Sequence, residues 1–117
     1  MFGINRHSKV YLSLGATDLR KSINTLSVLV QGGLKLDPFC GHYFGFCNRR
    51  RNLLKVLYWD RNGFCLWQKR LEKDRFHWPE KEEEILEIGE REFLWLIEGL
   101  KLEMVRGHQE LKYATVI

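Results

Sequence analysis

The strongest constraint on the fold is a pair of strand-forming runs that flank a short turn. Residues 53–59 and 64–71 are rich in apolar and aromatic side chains, and Asp60-Arg61-Asn62-Gly63 separates them. This pattern predicts a β-hairpin. Two turns are compatible with it: a type I turn with Gly63 in the left-handed conformation and a G1 bulge, or a two-residue type I′ turn at Asn62-Gly63. The two turns differ in register, so the pattern does not assign the faces of the strands.

Further strand-forming segments lie on both sides of this hairpin. Residues 9–14 and 42–47 precede it, and residues 85–88 follow it as an expected edge strand. Residues 76–79 are compatible with one more short strand that ends at a proline. The tail from residue 105 onwards either adds a strand or stays disordered. These segments predict a single α+β domain over residues 1–117, with a mostly antiparallel sheet of four to six strands and two packed helices.

The two helices are predicted from the spacing of their apolar residues. The first follows an N-cap at Thr17 or Asp18 and stops at Gly32-Gly33, and the second covers residues 90–102. In both segments apolar residues recur every three or four positions, which places them on one side of a helix. They are Leu19, Ile23, Leu26 and Val30 in the first helix, and Phe93, Leu94, Ile97 and Leu100 in the second.

The size and composition are those of one domain with its own core: 117 residues, of which 44% are hydrophobic. The first residues lack the apolar region of a signal peptide, and no apolar run reaches the roughly 18 residues of a membrane-spanning helix. The odd number of cysteines, three, favours free thiols in a reducing compartment over a disulfide framework. These features predict a cytoplasmic protein that does not bind a membrane.

The charges of the chain are divided between two segments. Residues 48–75 carry nine basic and three acidic side chains, whereas residues 80–103 carry nine acidic and three basic ones. A basic segment of this density predicts contact with a polyanion. The acidic segment is either a solvated surface, with residues 80–84 as an exposed loop, or a docking surface for a basic partner.

The basic segment has the composition of a nucleic-acid surface, because arginines and lysines stand there beside two tryptophans. Phosphate contacts are predicted for the cationic side chains, since a guanidinium group binds phosphate through two parallel hydrogen bonds. Trp59 and Trp67 either contact bases and sugars or pack into the core. The alternative for the cations is a solvated basic face without a ligand. The cations concerned are Arg49, Arg50, Arg51, Lys55, Lys69 and Arg70.

Metal and catalytic sites have weak support in this sequence. Three cysteines with His42 or His77 offer zinc ligands, but no C-x2-C pair is present, so no metal or other cofactor is predicted. Three aspartates could form a two-metal nuclease site, but each occupies a position that capping or turn chemistry explains. No catalytic residue is therefore predicted. The aspartates are Asp18, Asp37 and Asp60, and the cysteines are Cys40, Cys47 and Cys65.

Several ordered motifs resemble those of one family. Residues 15–22 (GATDLRKS) resemble the GATDMRKS signature of the TnpB accessory proteins of insertion-sequence 66 family transposons, the products of the second open reading frame. Asp37-Pro38-Phe39 and Gly41-His42 match the next signature, and residues 48–51, 55–60, 63–67, 69–73, 75–76 and 78–79 match the rest in order. The chain departs from the family pattern at residues 23–25, at Cys47 and at Asp74. The resemblance covers about residues 2–100. This accessory-protein family is distinct from the RNA-guided nuclease that shares the TnpB name.

The resemblance implies a non-catalytic helper of DNA transposition, encoded beside a large transposase that carries the catalytic acids. Its expected partners are DNA at the transposon ends and the transposase of the same element. The alternative is a protein–protein adaptor that docks on the transposase through the acidic C-terminal half, without touching DNA. With the basic segment, the motifs give the candidate DNA-binding residues Arg20, Lys21, Arg49, Arg50, Arg51, Lys55, Lys69, Arg70 and Arg75.

Overall fold

Six strands form one mixed sheet in the computed structural model, which describes residues 8–20, 22–79 and 85–100 and the backbone of residues 112–114. The strands are β1 (Val10–Ala16), β2 (Tyr43–Cys47), β3 (Leu53–Asp60), β4 (Gly63–Arg70), β5 (Ile85–Ile88) and β6 (Lys112–Ala114). Their order is β4-β3-β2-β1-β5-β6, and every neighbouring pair is antiparallel except the parallel pair β1–β2. The predicted α+β class with a mostly antiparallel sheet is confirmed.

Two helices lie in the connections between these strands. Helix α1 (Ile23–Val28) and a π-helical turn at Leu29–Gly33 lie between β1 and β2, and α2 (Glu90–Ile97) follows β5. A parallel strand pair needs a crossover that returns the chain to the same end of the sheet. The segment with α1 supplies this crossover, so β1, α1 and β2 form one unit ahead of the antiparallel strands.

Buried side chains lie on both faces of the sheet. Successive side chains of a strand point to opposite sides, so one strand contributes to both faces. On the α2 face, Leu54 and Val56 of β3 share a buried cluster with Phe93 of α2. On the α1 face, Leu57 of β3 shares a second cluster with Leu26 of α1. Leu19, Val30 and Ile23 also belong to the second cluster, which confirms the predicted apolar side of the first helix.

The segment after β4 packs on the α2 face without forming the short strand suggested for residues 76–79. Phe76 and Trp78 are buried there, and Trp78 Nε1 donates a hydrogen bond to the Ser13 carbonyl oxygen at 2.8 Å. Gly45 of β2 leaves room for the indole, since a Cβ at Gly45 would lie 3.4 Å from Trp78 and 2.9 Å from Leu12. Side-chain packing, the Trp78 hydrogen bond and a backbone bond from the Phe76 N–H to the Arg51 carbonyl oxygen therefore fix this segment without ladder pairing.

The predicted start of the first helix is wrong. Helix α1 begins at Ile23 after an extended Ser22, and neither Thr17 nor Asp18 caps it. The backbone N–H of Thr17 donates to the Cys47 carbonyl oxygen at 2.9 Å, so Thr17 continues the pairing with β2. The Asp18 carboxylate instead binds Arg20. Thr17 is therefore bonded to β2, and Asp18 is bonded within the loop between β1 and α1.

The predicted hairpin of β3 and β4 is confirmed, but both predicted turns are wrong. Asp60 pairs with Gly63, so the two turn residues are Arg61 and Asn62. The positive φ that both predictions place at Gly63 falls on Arg61, at 52°. This register puts Trp59 opposite Phe64.

The C-terminal elements also differ in detail from the prediction. Strand β5 is present, but it lies between β1 and β6 and is not an edge strand. Helix α2 ends at Ile97 rather than at residue 102, because Gly99 adopts a φ of 87° and its N–H donates to the Leu96 carbonyl oxygen at 3.1 Å. The backbone of residues 112–114 pairs with β5, which is the strand alternative for the tail.

Some sequence predictions concern residues outside the described ranges. These are the Lys21 phosphate contact, the exposed loop at residues 80–84, and the helical extension at residues 101–102. Among the described helices, none is long and apolar enough to cross a membrane.

Candidate nucleic-acid interface

The connection between β2 and β3 is a tightly bonded turn, which we call the arginine turn (residues 48–52). Asn48 organises it: the Asn48 Oδ1 atom accepts hydrogen bonds from the backbone N–H groups of Asn52 and Leu53, both at 3.1 Å. The Asn48 Nδ2 atom donates to Asn52 Oδ1 at 2.7 Å. The N–H of Arg51 donates to the Asn48 carbonyl oxygen at 3.1 Å, which closes the turn. One asparagine side chain thus satisfies several backbone groups that a short loop would leave open.

Arg51 acts as a structural residue of this turn. Its φ of 60° lies in the left-handed region, and its guanidinium Nη2 donates to the Leu14 carbonyl oxygen at 3.4 Å. The Arg51 carbonyl oxygen accepts from the N–H of Phe76 at 2.7 Å. A hydrogen bond from Arg51 also reaches the buried thiol of Cys47, whose pKa is raised above its ordinary value by burial and lowered in part by Arg51. Arg51 is half-buried, while Arg49 and Arg50 are exposed at the tip.

A second segment, the β1 loop (residues 17–20), is fixed beside the arginine turn. Thr17 is buried, and its N–H donates to Cys47, the last residue before the turn. On the other side of Asp18, the buried Leu19 has its carbonyl oxygen bound by Lys55 Nζ at 2.6 Å. Lys55 is half-buried and belongs to β3, so one strand carries the arginine turn and also holds the neighbouring loop.

The tip of the β1 loop carries an exposed ion pair. Arg20 Nε donates to Asp18 Oδ1 at 3.0 Å, and Arg20 Nη2 donates to Asp18 Oδ2 at 2.9 Å. The backbone N–H of Arg20 also donates to Asp18 Oδ1 at 3.1 Å. The Arg20 side chain is 91% exposed and that of Asp18 is 44% exposed. An ion pair this exposed contributes little to stability, because water and salt screen it.

The β1 loop and the arginine turn enclose a cleft of about 540 Å³. Arg20 lines it from one side, and Arg49 and Arg50 line it from the other. Residues that are 29 or 30 positions apart in the sequence therefore meet, because parallel pairing places Ala16 opposite Cys47. The remaining lining residues are Ala16, Thr17, Asp18, Leu19, Asn48 and Leu53.

Two further arginines lie at the same end of the sheet. Arg70 pairs with Leu53 at the start of β3, and its Nε lies 3.3 Å from Glu72 Oε1. Arg75 is exposed and precedes Phe76, which is bonded to the arginine turn. We call the five exposed arginines at this end the basic edge: Arg20, Arg49, Arg50, Arg70 and Arg75.

Lys69 lies apart from the basic edge. It pairs with Leu54 and so faces the α2 side of the sheet, where its Nζ donates to the Ile97 carbonyl oxygen at 3.1 Å. Like Lys55, it is half-buried and bonded to a backbone oxygen. The nine predicted residues therefore separate into exposed arginines, half-buried cations that fix backbone, and Lys21, which lies outside the described ranges.

The tryptophans do not join the cleft. Trp59 is half-buried at the opposite end of β3, in a cluster with Phe39 and Phe64 whose ring centroids are each 5.1 Å apart. Since β3 has eight residues, the two ends of the strand are roughly 23 Å apart. Trp67 is half-buried against the core of the α2 face. Packing against the core is therefore shown for Trp67, whereas Trp59 packs in a partly exposed aromatic cluster outside the core.

The described residues give no metal geometry. No group of three His, Cys, Asp or Glu side chains in this part of the chain lies close enough to hold a metal ion. Cys40, Cys47 and Cys65 are free thiols. Asp37 accepts a hydrogen bond from the N–H of Phe39 at 2.9 Å, which is the turn role expected for it.

Sequence reasoning missed Asn48 and the position of Asp18 in the cleft. The role of Asn48 is predictable from the sequence, because an asparagine at the start of a polar turn accepts backbone hydrogen bonds within that turn. The turn role predicted for Asp18 is present, because its Oδ1 accepts from the backbone N–H of Arg20 at 3.1 Å. Its position in the cleft depends on the pairing of β1 with β2, which the residues around Asp18 do not indicate.

Comparison with known proteins identifies the family of this chain. The family model described as IS66 Orf2 like protein matches residues 8–107. This chain belongs to that family. The resemblance found in the motifs is thereby confirmed, and family membership indicates an accessory protein of transposition rather than a known enzyme.

Two relatives from Sinorhizobium fredii extend over most of the chain. The uncharacterized protein y4hO is 36% identical over 100 residues, which cover 86% of this chain and 87% of the relative. The uncharacterized protein y4jC is 33% identical over 106 residues, which cover 91% of each protein. No solved structure matches the chain.

Proposed function

We propose that this protein is a non-catalytic transposition accessory protein that binds DNA phosphates through the basic edge. The observation that carries the proposal is the convergence of Arg20 with Arg49 and Arg50 on one cleft. These arginines come from two separate segments that backbone hydrogen bonds hold together. The turns fix the backbone from which these side chains extend, and a guanidinium group binds phosphate through two parallel hydrogen bonds.

The candidate residues take two roles in this proposal. The exposed arginines of the basic edge contact phosphates, with Lys21 as a further contact beside Arg20. Arg51, Lys55 and Lys69 position the backbone, since each donates to a carbonyl oxygen of another segment. A loss of binding on substitution of these three would therefore follow from misplacement of the arginines.

The proposal predicts the salt dependence of binding. Each phosphate neutralised on duplex DNA contributes about −0.9 to the slope of log K against log salt concentration, so the five arginines reach a slope near −4.5 when every one of them contacts a phosphate. At that limit, affinity falls by roughly 500-fold between 50 and 200 mM salt. The measurement is fluorescence anisotropy with a labelled duplex of transposon-end sequence, titrated at four salt concentrations.

A pair of double variants separates the basic edge from net charge. Arg49→Gln with Arg50→Gln should reduce the slope by about 1.8, because two phosphate contacts are lost. Lys35→Asn with Arg61→Asn removes the same charge elsewhere and should leave the slope within about 0.5 of the wild type. Both control residues are exposed and have positive φ values, which asparagine tolerates. Wild-type binding without salt dependence, or equal losses in both double variants, would refute direct phosphate contact.

An adaptor role is the second candidate, and a groove beside α2 favours it. The groove has a volume of about 510 Å³ and is lined by acidic and apolar residues of that helix. Arg91 lies over the Trp95 ring, 5.9 Å from its centroid, and Glu90 and Glu92 leave this surface with a net negative charge. This chemistry suits a basic, partly apolar segment of the transposase.

A pull-down with purified transposase distinguishes the adaptor from the DNA-binding protein. Glu90→Lys with Glu92→Lys should abolish association if the α2 surface docks on the transposase, while the Arg49/Arg50 variant should keep it. Association that survives the charge reversal and depends on added DNA would instead support direct DNA contact.

A further inference from the structure

The cleft of the basic edge contains a carboxylate, which is an unexpected group in a phosphate site. Asp18 lines the cleft together with Arg20, Arg49 and Arg50. Its two oxygens accept two parallel hydrogen bonds, one from Nε and one from Nη2 of Arg20. A phosphate group would use the same donors in the same geometry. In the free protein, the donors of Arg20 that best fit a phosphate are therefore occupied.

The ion pair is built so that it can open. Arg20 is 91% exposed, and exposed ion pairs are weak because water and salt screen them. The Arg20 guanidinium can thus leave Asp18 for a stronger anion. A DNA phosphate is such an anion, because its contact with a cation releases condensed counterions from the DNA.

The carboxylate itself has less freedom than the arginine. Bonded residues lie on both sides of Asp18: the Thr17 N–H is bound to Cys47, and the Leu19 carbonyl oxygen is bound to Lys55. Asp18 also holds the backbone N–H of Arg20. Its negative charge therefore stays in the cleft when the Arg20 side chain moves away.

We infer that Asp18 is an electrostatic gate on the cleft, whose carboxylate a DNA phosphate must replace at Arg20 before Arg20 contributes to binding. Asp18 lowers the affinity for DNA in general and makes Arg20 available only to a phosphate that enters the cleft. This inference rests on the proposed DNA contact and assigns Asp18 as a positioning residue that controls it.

The test is Asp18→Asn, with Asp60→Asn as the charge-matched control. The asparagine keeps Oδ1 as an acceptor for the Arg20 N–H, so the β1 loop is retained. Asp60 is exposed at the opposite end of β3. With Arg20 released, Asp18→Asn should steepen the salt slope by about 0.9, which adds roughly a 3.5-fold loss of affinity between 50 and 200 mM salt. Affinity at 50 mM salt should rise above that of Asp60→Asn.

A double-mutant cycle shows whether Asp18 acts through Arg20. In the Asp18→Asn background, Arg20→Gln should reduce the slope by about 0.9, because a phosphate contact is lost. In the wild-type background, Arg20→Gln should change the slope by less. There, a phosphate contacts Arg20 only after it displaces the Asp18 carboxylate. Equal effects of Arg20→Gln in the two backgrounds, or equal slopes for Asp18→Asn and Asp60→Asn, would overturn the gate.

A direct readout keeps this test separate from the proposed function. The Arg20 Nε–H resonance in NMR should shift on Asp18→Asn in the free protein, and on addition of DNA to the wild type. If neither the wild type nor Asp18→Asn binds DNA with salt dependence, the proposed function fails. If the wild type binds through Arg49 and Arg50 while the Arg20 resonance stays unchanged on DNA addition, the gate alone fails.

Discussion

The two turns at opposite ends of β3 are alike in sequence and different in construction. The arginine turn and the turn at Arg61-Asn62 both carry arginine, and each has an arginine at positive φ, 60° for Arg51 and 52° for Arg61. Around the first turn, Asn48, Leu14 and Phe76 supply hydrogen bonds from three segments. At the second, Arg61 and Asn62 are exposed, and the backbone N–H of Asn62 donates to the Asp60 carbonyl oxygen within the turn itself.

The difference teaches that charge alone does not identify a binding site. Arginine at an exposed, locally closed turn adds net charge and little else. In the arginine turn, other segments fix the backbone from several sides, and a second cationic loop is held against it. Rigid placement of several guanidinium groups is what phosphate recognition needs.

Asn48→Ala should produce the largest contrast between the turns. The change removes three side-chain hydrogen bonds from a half-buried position, at about 1 kcal/mol each, so the free energy of unfolding should fall by about 2–3 kcal/mol. Asn62→Ala, at the exposed turn, should change it by less than about 0.5 kcal/mol. Urea denaturation followed by tryptophan fluorescence measures both, and similar losses would show that the two turns are equally supported.

Replacing the two positive-φ arginines with glycine should give effects of opposite sign. Glycine relieves the left-handed strain of about 1–2 kcal/mol but costs up to about 1 kcal/mol in chain entropy, so Arg61→Gly should stabilise by about 0.5–1 kcal/mol. Arg51→Gly gains the same relief but loses the bonds to Leu14 and Cys47, and should destabilise by about 1 kcal/mol. Thermal unfolding compares them, and stabilisation by both variants would remove the structural role of Arg51.

The smallest contrast is in alkaline stability. Burial raises the pKa of the Cys47 thiol above its ordinary value of 9.0. Above pH 9 the unfolded chain releases this proton, while the folded protein keeps it. The free energy of unfolding therefore falls as the pH rises above 9, by at most about 1.4 kcal/mol per pH unit. The wild type should therefore lose stability more steeply above pH 9 than Cys47→Ala.

Cys65→Ala serves as the control for this alkaline effect, because it removes a thiol near the other turn and keeps Cys47. Urea denaturation at pH 7, 8, 9 and 10 gives the profiles. Profiles for the wild type and Cys47→Ala that run in parallel would show that the Cys47 thiol does not contribute to the pH dependence.

Local sequence patterns were sufficient for most of the elements. The strands flanking the hairpin turn and the apolar side of α1 follow from residue type and spacing, which act over a few residues. The start of α1 does not, because the N–H of Thr17 is taken by Cys47, 30 positions away. The turn at Arg61 also escapes a local rule, since glycine is the residue expected at positive φ and Gly63 is paired in the strand instead.

The candidate site was predictable in composition and only partly in geometry. The arginines of residues 49 and 50 are conspicuous in the sequence, but their meeting with Arg20 depends on the parallel register of β1 and β2. No pattern within either strand encodes that register. The distance between Trp59 and these arginines, by contrast, follows from the predicted strand itself, because they lie at opposite ends of β3.

The position of β1 inside the sheet has a consequence for how the protein is made. Its partners are β2 on one side and β5 on the other. Both edges of residues 10–16 can therefore be paired only after residues 85–88 have been synthesised. Until β5 is available, the edge of β1 that faces away from β2 is open, and open edges pair readily with other chains. Pairing with β5 therefore covers an edge that favours association with other chains.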